Sequence, residues 1–358
     1  MTELLFTSTK LGDIDLKNRV VMAPMTRSRA IDNVPNALMA TYYGQRSEAG
    51  LIITEGTAPS PSGLGYARIP GIYSDAQVAG WREVTAAVHA SGAKIFVQIM
   101  HTGRIGHPAN LPAGGRILGP SAIAAPGTMY TDSQGPQPFP VPEEMTEDDI
   151  ERAIAEFEHA AAQAIAAGFD GVELHGANGY LIEQFLNTAA NQRTDRWGGT
   201  IEGRARFALE VARRVAARIG AGRLGIRLSP FGVFNGTAPD PETSALYLHL
   251  ARELSALGLV YLHLVDHSAM GTPPVPDELK AGLRAAFRGA FILSGGYDAA
   301  RAEADLQAGR GDLVAFGRPF LSNPRLVTKL RTGQPLLPPD FATFYTPDAK
   351  GYTDFPLE

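Results

Sequence analysis

TEDDIERAIAEFEHAAAQAIAAGFDGVELHGANGY, residues 146–180, decides the fold. Ile150, Ile154, Phe157, Ala161, Ala164 and Ile165 share one helical face. Thr146 stands where an N-cap belongs and Gly168 lies just past the end, so the spacing predicts a helix over 146–168. GVELH (171–175) then reads as a short strand, with Val172 and Leu174 on one face and Glu173 and His175 on the other.

The same alternation repeats outward along the chain. RVVMAP (19–24), LIITEG (51–56), KIFVQIM (94–100), LGIRLS (224–229), LVYLHLV (259–265), AFILSG (290–295) and DLVAFG (312–317) are further β-rich runs, with helical spacing between them. In 200–219 the helical stripe is Phe207, Val211 and Val215, with Ile219 beside it. Strands alternating with helices imply a parallel sheet with crossovers, and eight such units imply a closed (β/α)8 TIM barrel. An N-terminal hairpin is expected ahead of it. No linker divides residues 1–358, so a single α/β domain is expected. The excursion 101–146 after the third strand, with eight prolines, is expected to cap a pocket.

Composition narrows the function. The 358 residues are 44% hydrophobic and carry a net charge of -5, without a strongly basic segment, which argues against a nucleic-acid partner. Cysteine is absent, excluding disulfides, thiolate metal sites and a cysteine nucleophile. The start MTELLFTSTKLGD has no signal-peptide pattern, and the apolar run Leu259–Val265 is far too short for a membrane span. A cytoplasmic protein without a membrane partner is expected. The outer helix faces carry no outstanding apolar patch, which leaves the oligomeric state open between monomer and homodimer.

Helices cover the outer face of a barrel, so polar residues opposite the apolar ones point inward. Gln98, Glu173, His175 and Arg227 do so on three neighbouring strands, and Gln98, His175 and Arg227 lie toward the C-terminal ends where barrel enzymes place their sites. A Glu173–Arg227 ion pair and a core His175 are the structural alternatives. The loops after the last two strands, SGGYD (294–298) and FGRPF (316–320), suit a phosphate held by Gly295, Gly296, Gly317 and Arg318. Gly220-x-Gly222-x-x-Gly225 follows a helix and precedes a strand, the reverse of a dinucleotide fingerprint, and reads as a turn. Asn235-Gly-Thr237 reads as a chance glycosylation triplet, and the arginines of 204–218 as a solvated face.

His175-Gly-Ala-Asn178-Gly-Tyr180 gathers two hydrogen-bond donors for one oxygen and a phenol as proton source, which suits hydride addition beside a carbonyl or nitro group. With APMTR (23–27), TEG (54–56), QIMHTGR (98–104), HGANGYLIEQFLN (175–187), NQRTDRWGG (191–199), IRLSP (226–230), SGGY, FGRP and KGYTDFP (350–356), the sequence resembles the Old Yellow Enzyme family of FMN-dependent ene-reductases over nearly its whole length. Thr26, where one subgroup has Cys, aligns it with the classical subgroup.

That resemblance implies non-covalent FMN across the barrel mouth. Its phosphate would sit at Gly295, Gly296, Gly317 and Arg318, with Pro24, Met25 and Gly56 against the ring. Thr26 would bond O4, Gln98 the pyrimidine edge, and Arg227 would lie near N1 and O2. His175 and Asn178 would bind the acceptor oxygen and Tyr180 would donate the proton, while Tyr66, Met100 and Tyr352 would wall the pocket. NAD(P)H would deliver hydride to the flavin, and an α,β-unsaturated carbonyl, imide or nitro compound would then take it at Cβ, in ping-pong order. Met100 stands where the family often has Trp, and Gly203 where it commonly has Asn. A metal-dependent barrel hydrolase or lyase using His175, His263 and His267 is the rival reading, although no metal is expected. A flavin-binding barrel without turnover is a third.

Overall fold

In the computed structural model, residues 3–357 are described. Thr9–Leu11 and Ile14–Leu16 form the expected antiparallel hairpin. Its Leu11 and Leu16 pack with Val21, Leu51, Phe96, Tyr261 and Leu313, near the starts of the barrel strands, and close that end.

Eight parallel strands follow: β1 (Val20–Met22), β2 (Leu51–Thr57), β3 (Lys94–Ile99), β4 (Gly171–Gly176), β5 (Leu224–Leu228), β6 (Tyr261–Val265), β7 (Ala290–Ser294) and β8 (Leu313–Phe316). Each pairs with the next and β8 pairs with β1, closing the (β/α)8 barrel that the strand–helix alternation predicts. Every strand falls within two residues of its predicted run.

The helices are α1 (Ala37–Gln45), α2 (Asp75–His89), α3 (Glu147–Ala166), α4 (Leu181–Leu186), α5 (Ile201–Ile219), α6 (Thr243–Ala256), α7 (Asp277–Ala286), α8 (Ala299–Gln307), α9 (Arg318–Ser322) and α10 (Leu326–Thr332). Thr146 caps α3 reciprocally with Asp149, and Thr200 caps α5 through the Gly203 amide. At Gly203 a Cβ would lie 2.1 Å from Gly198 O, which explains the absence of the side chain there. Gly220 ends α5 and leads into β5 through a short 3-10 turn, as the reversed glycine pattern implies.

The arginines of α5 are not uniformly solvated. Arg204 is buried and pairs with Asp240 at 2.9 Å and Glu242 at 2.6 Å, so one residue of the expected solvated face is an internal tie between α5 and the segment before α6. The excursion 101–146 contains the hairpin Thr128–Thr131/Gly135–Pro138 and the parallel pair Leu118–Gly119/Glu143–Glu144. No helix among the described residues is long and apolar enough to cross a membrane.

Candidate active site

Register sets the polar residues of the barrel side by side. Glu173 lies level with Gln98, His175 with Arg227, and Arg227 with His263. Glu173, fully buried, accepts from Gln98 Nε2 at 2.8 Å and Tyr261 OH at 3.0 Å, and meets His263 Nδ1 at 2.8 Å. The expected alternative of a Glu173–Arg227 ion pair is therefore not what forms. Arg227 stays buried, and its Nε has no hydrogen-bond partner among the described residues. An unpaired buried cation is costly unless something electron-rich is to meet it.

The loop after β4 is held rigidly. Asn178 and Gly179 take left-handed backbone angles, with φ of 61° and 76°. Gly179 N donates to Glu183 Oε2 at 2.6 Å, and Glu183 Oε1 accepts from Ser229 Oγ and Tyr247 OH, both at 2.8 Å. Ser229 Oγ in turn accepts from Asn178 N at 2.9 Å. His175 Nδ1 accepts from Ala177 N at 3.3 Å, which leaves the imidazole proton on Nε2. Burial, then Arg227, His263 and His267, hold His175 well below its usual range, so it is neutral near pH 7. Tyr180 OH lies 2.9 Å from Tyr66 OH, and the Tyr180 ring packs edge-on to His175 at 4.8 Å. Burial and the Tyr66 hydroxyl push Tyr180 well above 10, so the phenol keeps its proton until a strong base develops beside it.

These residues share a cavity of about 250 Å³, which brings together Pro24, Met25, Thr26, Gly56, Gln98, Met100, His175, Asn178, Tyr180, Arg227 and Arg318. A second cavity of about 510 Å³ shares Pro24, Met25, Asn178, Arg227 and Arg318 with it and reaches Gly295, Gly296 and Gly317. The residues fit a flavin phosphate. Gly295 has φ +137° and a Cβ there would lie 2.1 Å from Asp266 O, so only glycine permits this close backbone turn. Arg318 rests its guanidinium on Met270 Sδ at 2.9 Å and has no carboxylate partner among the described residues, leaving its charge for an anion. Orphaned Arg227 stands at the junction of the two cavities.

Tyr352 does not wall the pocket, contrary to the expectation from KGYTDFP. It is fully buried, stacked on Tyr42 at 4.0 Å and flanked by the Arg27 and Arg29 guanidiniums. Arg29 grips the tail through Phe344 O at 2.6 Å and Thr343 O at 2.8 Å, and Arg27 through Gly351 O at 2.7 Å. This course brings Phe344 and Tyr345 to the cavity that His175 and Tyr180 border instead. Tyr66 is absent from that cavity's lining. It lies in an adjoining space of about 760 Å³ with Arg68, Tyr130, Phe341 and Tyr345, and Thr26, Tyr180 and Tyr345 border both.

Two residues with unassigned or rival roles also belong here. His267 Nε2 lies 2.7 Å from Asn178 Oδ1, and Asn235 Nδ2 donates to Asn178 O at 2.7 Å. Of the three histidines in the metal reading, His263 is committed to Glu173 and His267 to Asn178.

The model of the NADH:flavin oxidoreductase / NADH oxidase family matches residues 4–336. Chanoclavine-I aldehyde reductase of Penicillium roqueforti is 46% identical over 366 residues, covering 99% of this chain and 96% of the relative. The structure of morphinone reductase superposes with a TM-score of 0.95 at 45% identity, covering 99% of this chain and 96% of that one. An old yellow enzyme homologue from Zymomonas mobilis gives 0.94 at 40% identity, covering 98% and 99%. Metal-dependent hydrolysis and flavin binding without turnover are both set aside by this family match. The chain belongs to the NADH:flavin oxidoreductase / NADH oxidase family and is an FMN-dependent oxidoreductase of the Old Yellow Enzyme type.

Proposed function

We propose that the chain reduces the C=C bond of α,β-unsaturated ketones, aldehydes, imides or nitroalkenes with NAD(P)H as the source of reducing equivalents. FMN, when bound, would supply the redox chemistry, a two-electron hydride relay between the nicotinamide and the acceptor. Gly295, Gly296, Gly317 and Arg318 would hold its phosphate; Pro24, Met25, Thr26, Gly56, Gln98 and Arg227 would surround the ring. In this reading residues 101–146 cap the pocket.

The observation that carries the reading is one cavity bordered by the His175 imidazole, whose Nδ1 accepts from Ala177 N, the Asn178 amide and the Tyr180 phenol. His175 Nε2–H and the Asn178 amide bind the activating oxygen and stabilise the charge that develops there. Tyr180 then gives its proton to Cα. The Tyr66 hydroxyl, 2.9 Å away and open to the adjoining space, can return one. Chanoclavine-I aldehyde reductase and morphinone reductase are named for substrates with a carbonyl group, which agrees with this assignment.

Tyr180→Phe tests it in the two half-reactions, followed separately by anaerobic stopped-flow absorbance. Oxidation of the reduced enzyme by cyclohexenone is expected to slow about 100-fold or more. Reduction by NADPH is expected to stay within twofold. Equal losses in both halves would overturn the role given to Tyr180.

A further inference from the structure

The loop carrying Asn178 is fixed at its backbone by Ser229, Asn235 and the neighbouring Gly179–Glu183 contact, yet its side-chain amide has one partner among the described residues, His267. An asparagine χ2 is broad and roughly two-fold, so an unpartnered amide can present either its NH2 or its oxygen. Only the NH2 can assist an acceptor oxygen that gains negative charge; the amide oxygen would repel it.

His267 settles that choice. Asn178 Oδ1 can only accept, so the 2.7 Å contact requires a proton on His267 Nε2. Burial, with Arg227 and Arg318 adding to it, lowers His267 to about 4, so the ring is neutral near pH 7 and commits its single proton to this contact. The segment that carries the ring is anchored. Asp266 beside it accepts from Ser268 N at 2.9 Å and pairs with Lys280 at 2.8 Å, while Phe234 packs edge-on to the imidazole at 4.6 Å.

We propose that His267 is a positioning residue for the electron-poor acceptor: its Nε2–H holds Asn178 Oδ1 and so turns the amide NH2 into the reaction cavity as a second donor beside His175. The inference rests on the reading of the cavity given above. It assigns His267 no contact with the reacting atoms.

A double-mutant cycle on FMN-loaded protein tests it, reading the Kd of 4-chlorophenol, a mimic of the enolate oxygen, by flavin absorbance. His267→Leu is expected to raise the Kd about tenfold, the effect of one lost or misdirected hydrogen bond to a charged oxygen. His267→Gln, which keeps an N–H at the same reach, is expected within about threefold of wild type. In an Asn178→Ala background His267→Leu is expected to change the Kd by less than twofold, because there is no amide left to orient. Equal losses from His267→Leu in both backgrounds, or no loss in the wild-type background, would overturn the proposal. So would a His267→Gln variant as weak as His267→Leu. If wild-type holoenzyme binds no phenol, the cavity reading fails and the proposal falls with it. If wild type binds and only Asn178→Ala weakens it, the role of His267 alone fails.

Discussion

The two sides of the reaction cavity are built to different standards. On one side, strand ends and the loop after β4 place His175, Asn178 and Arg227, and almost every backbone group in that loop has a partner: Gly179 N on Glu183, Asn178 N on Ser229, Asn178 O from Asn235. On the other, Tyr345 comes from the chain's tail with 59% of its surface exposed, and Tyr130 and Phe341 around the adjoining space are exposed by 56% and 65%. In the proposed reaction the tied side holds the groups that would meet a developing charge at fixed distance. The loose side touches whatever the acceptor carries beyond its reacting bond. On the function proposed above, chemistry belongs to the first and selectivity to the second.

Glu183 gives the largest way to sharpen that contrast, because it ties the rigid loop and titrates. Burial raises its carboxyl to about 7 against the hydrogen bonds from Gly179, Ser229 and Tyr247. A folded-state pKa above the unfolded value means that the folded chain binds more protons between about pH 4.5 and 7. Glu183's contribution is therefore fully present below that window and is lost as pH rises through it, by on the order of 3 kcal/mol. Urea melts of wild type and Glu183→Gln across pH 4.5–8 are expected to show a steeper fall with rising pH in the wild type. Parallel profiles would remove Glu183 from this role.

His175→Ala breaks the tied side directly. It removes a hydrogen bond to a charged oxygen, and the Kd for a phenol is expected to rise roughly 10- to 100-fold. Tyr345→Ala, on the loose side, is expected to leave phenol affinity within about twofold and to shift the relative kcat/KM for bulky against small enones only a few-fold, as pocket contacts do. The contrast would be wrong if Tyr345→Ala cost as much phenol affinity as His175→Ala.

The same division governs what the sequence discloses. Gln98, His175 and Arg227 were legible because a strand has a two-residue repeat, and the inner face follows once the apolar face is known. That Gly295, Gly296, Gly317 and Arg318 meet around one cavity was legible from their place after β7 and β8. The tail was not. Tyr345 and Tyr352 lie in one aromatic segment, and which of them faces the cavity depends on Arg27 and Arg29, over 300 positions away, gripping Phe344 and Gly351 carbonyls. In the sequence Asn235 reads as a chance triplet and His267 as a loop histidine with metal ligation only its rival role, because their target, Asn178, is reached only when the loops after β4, β5 and β6 converge. His267's place immediately after β6, beside a strand already carrying an inward histidine, was the available signal.

The most direct test of the account is an anaerobic titration of purified, FMN-loaded protein followed by visible absorbance. NADPH or NADH is expected to bleach the flavin bands at one equivalent, and cyclohexenone added afterwards to restore them with formation of cyclohexanone. Protein that takes up no FMN, or flavin that stays bleached when the enone is added, would contradict it.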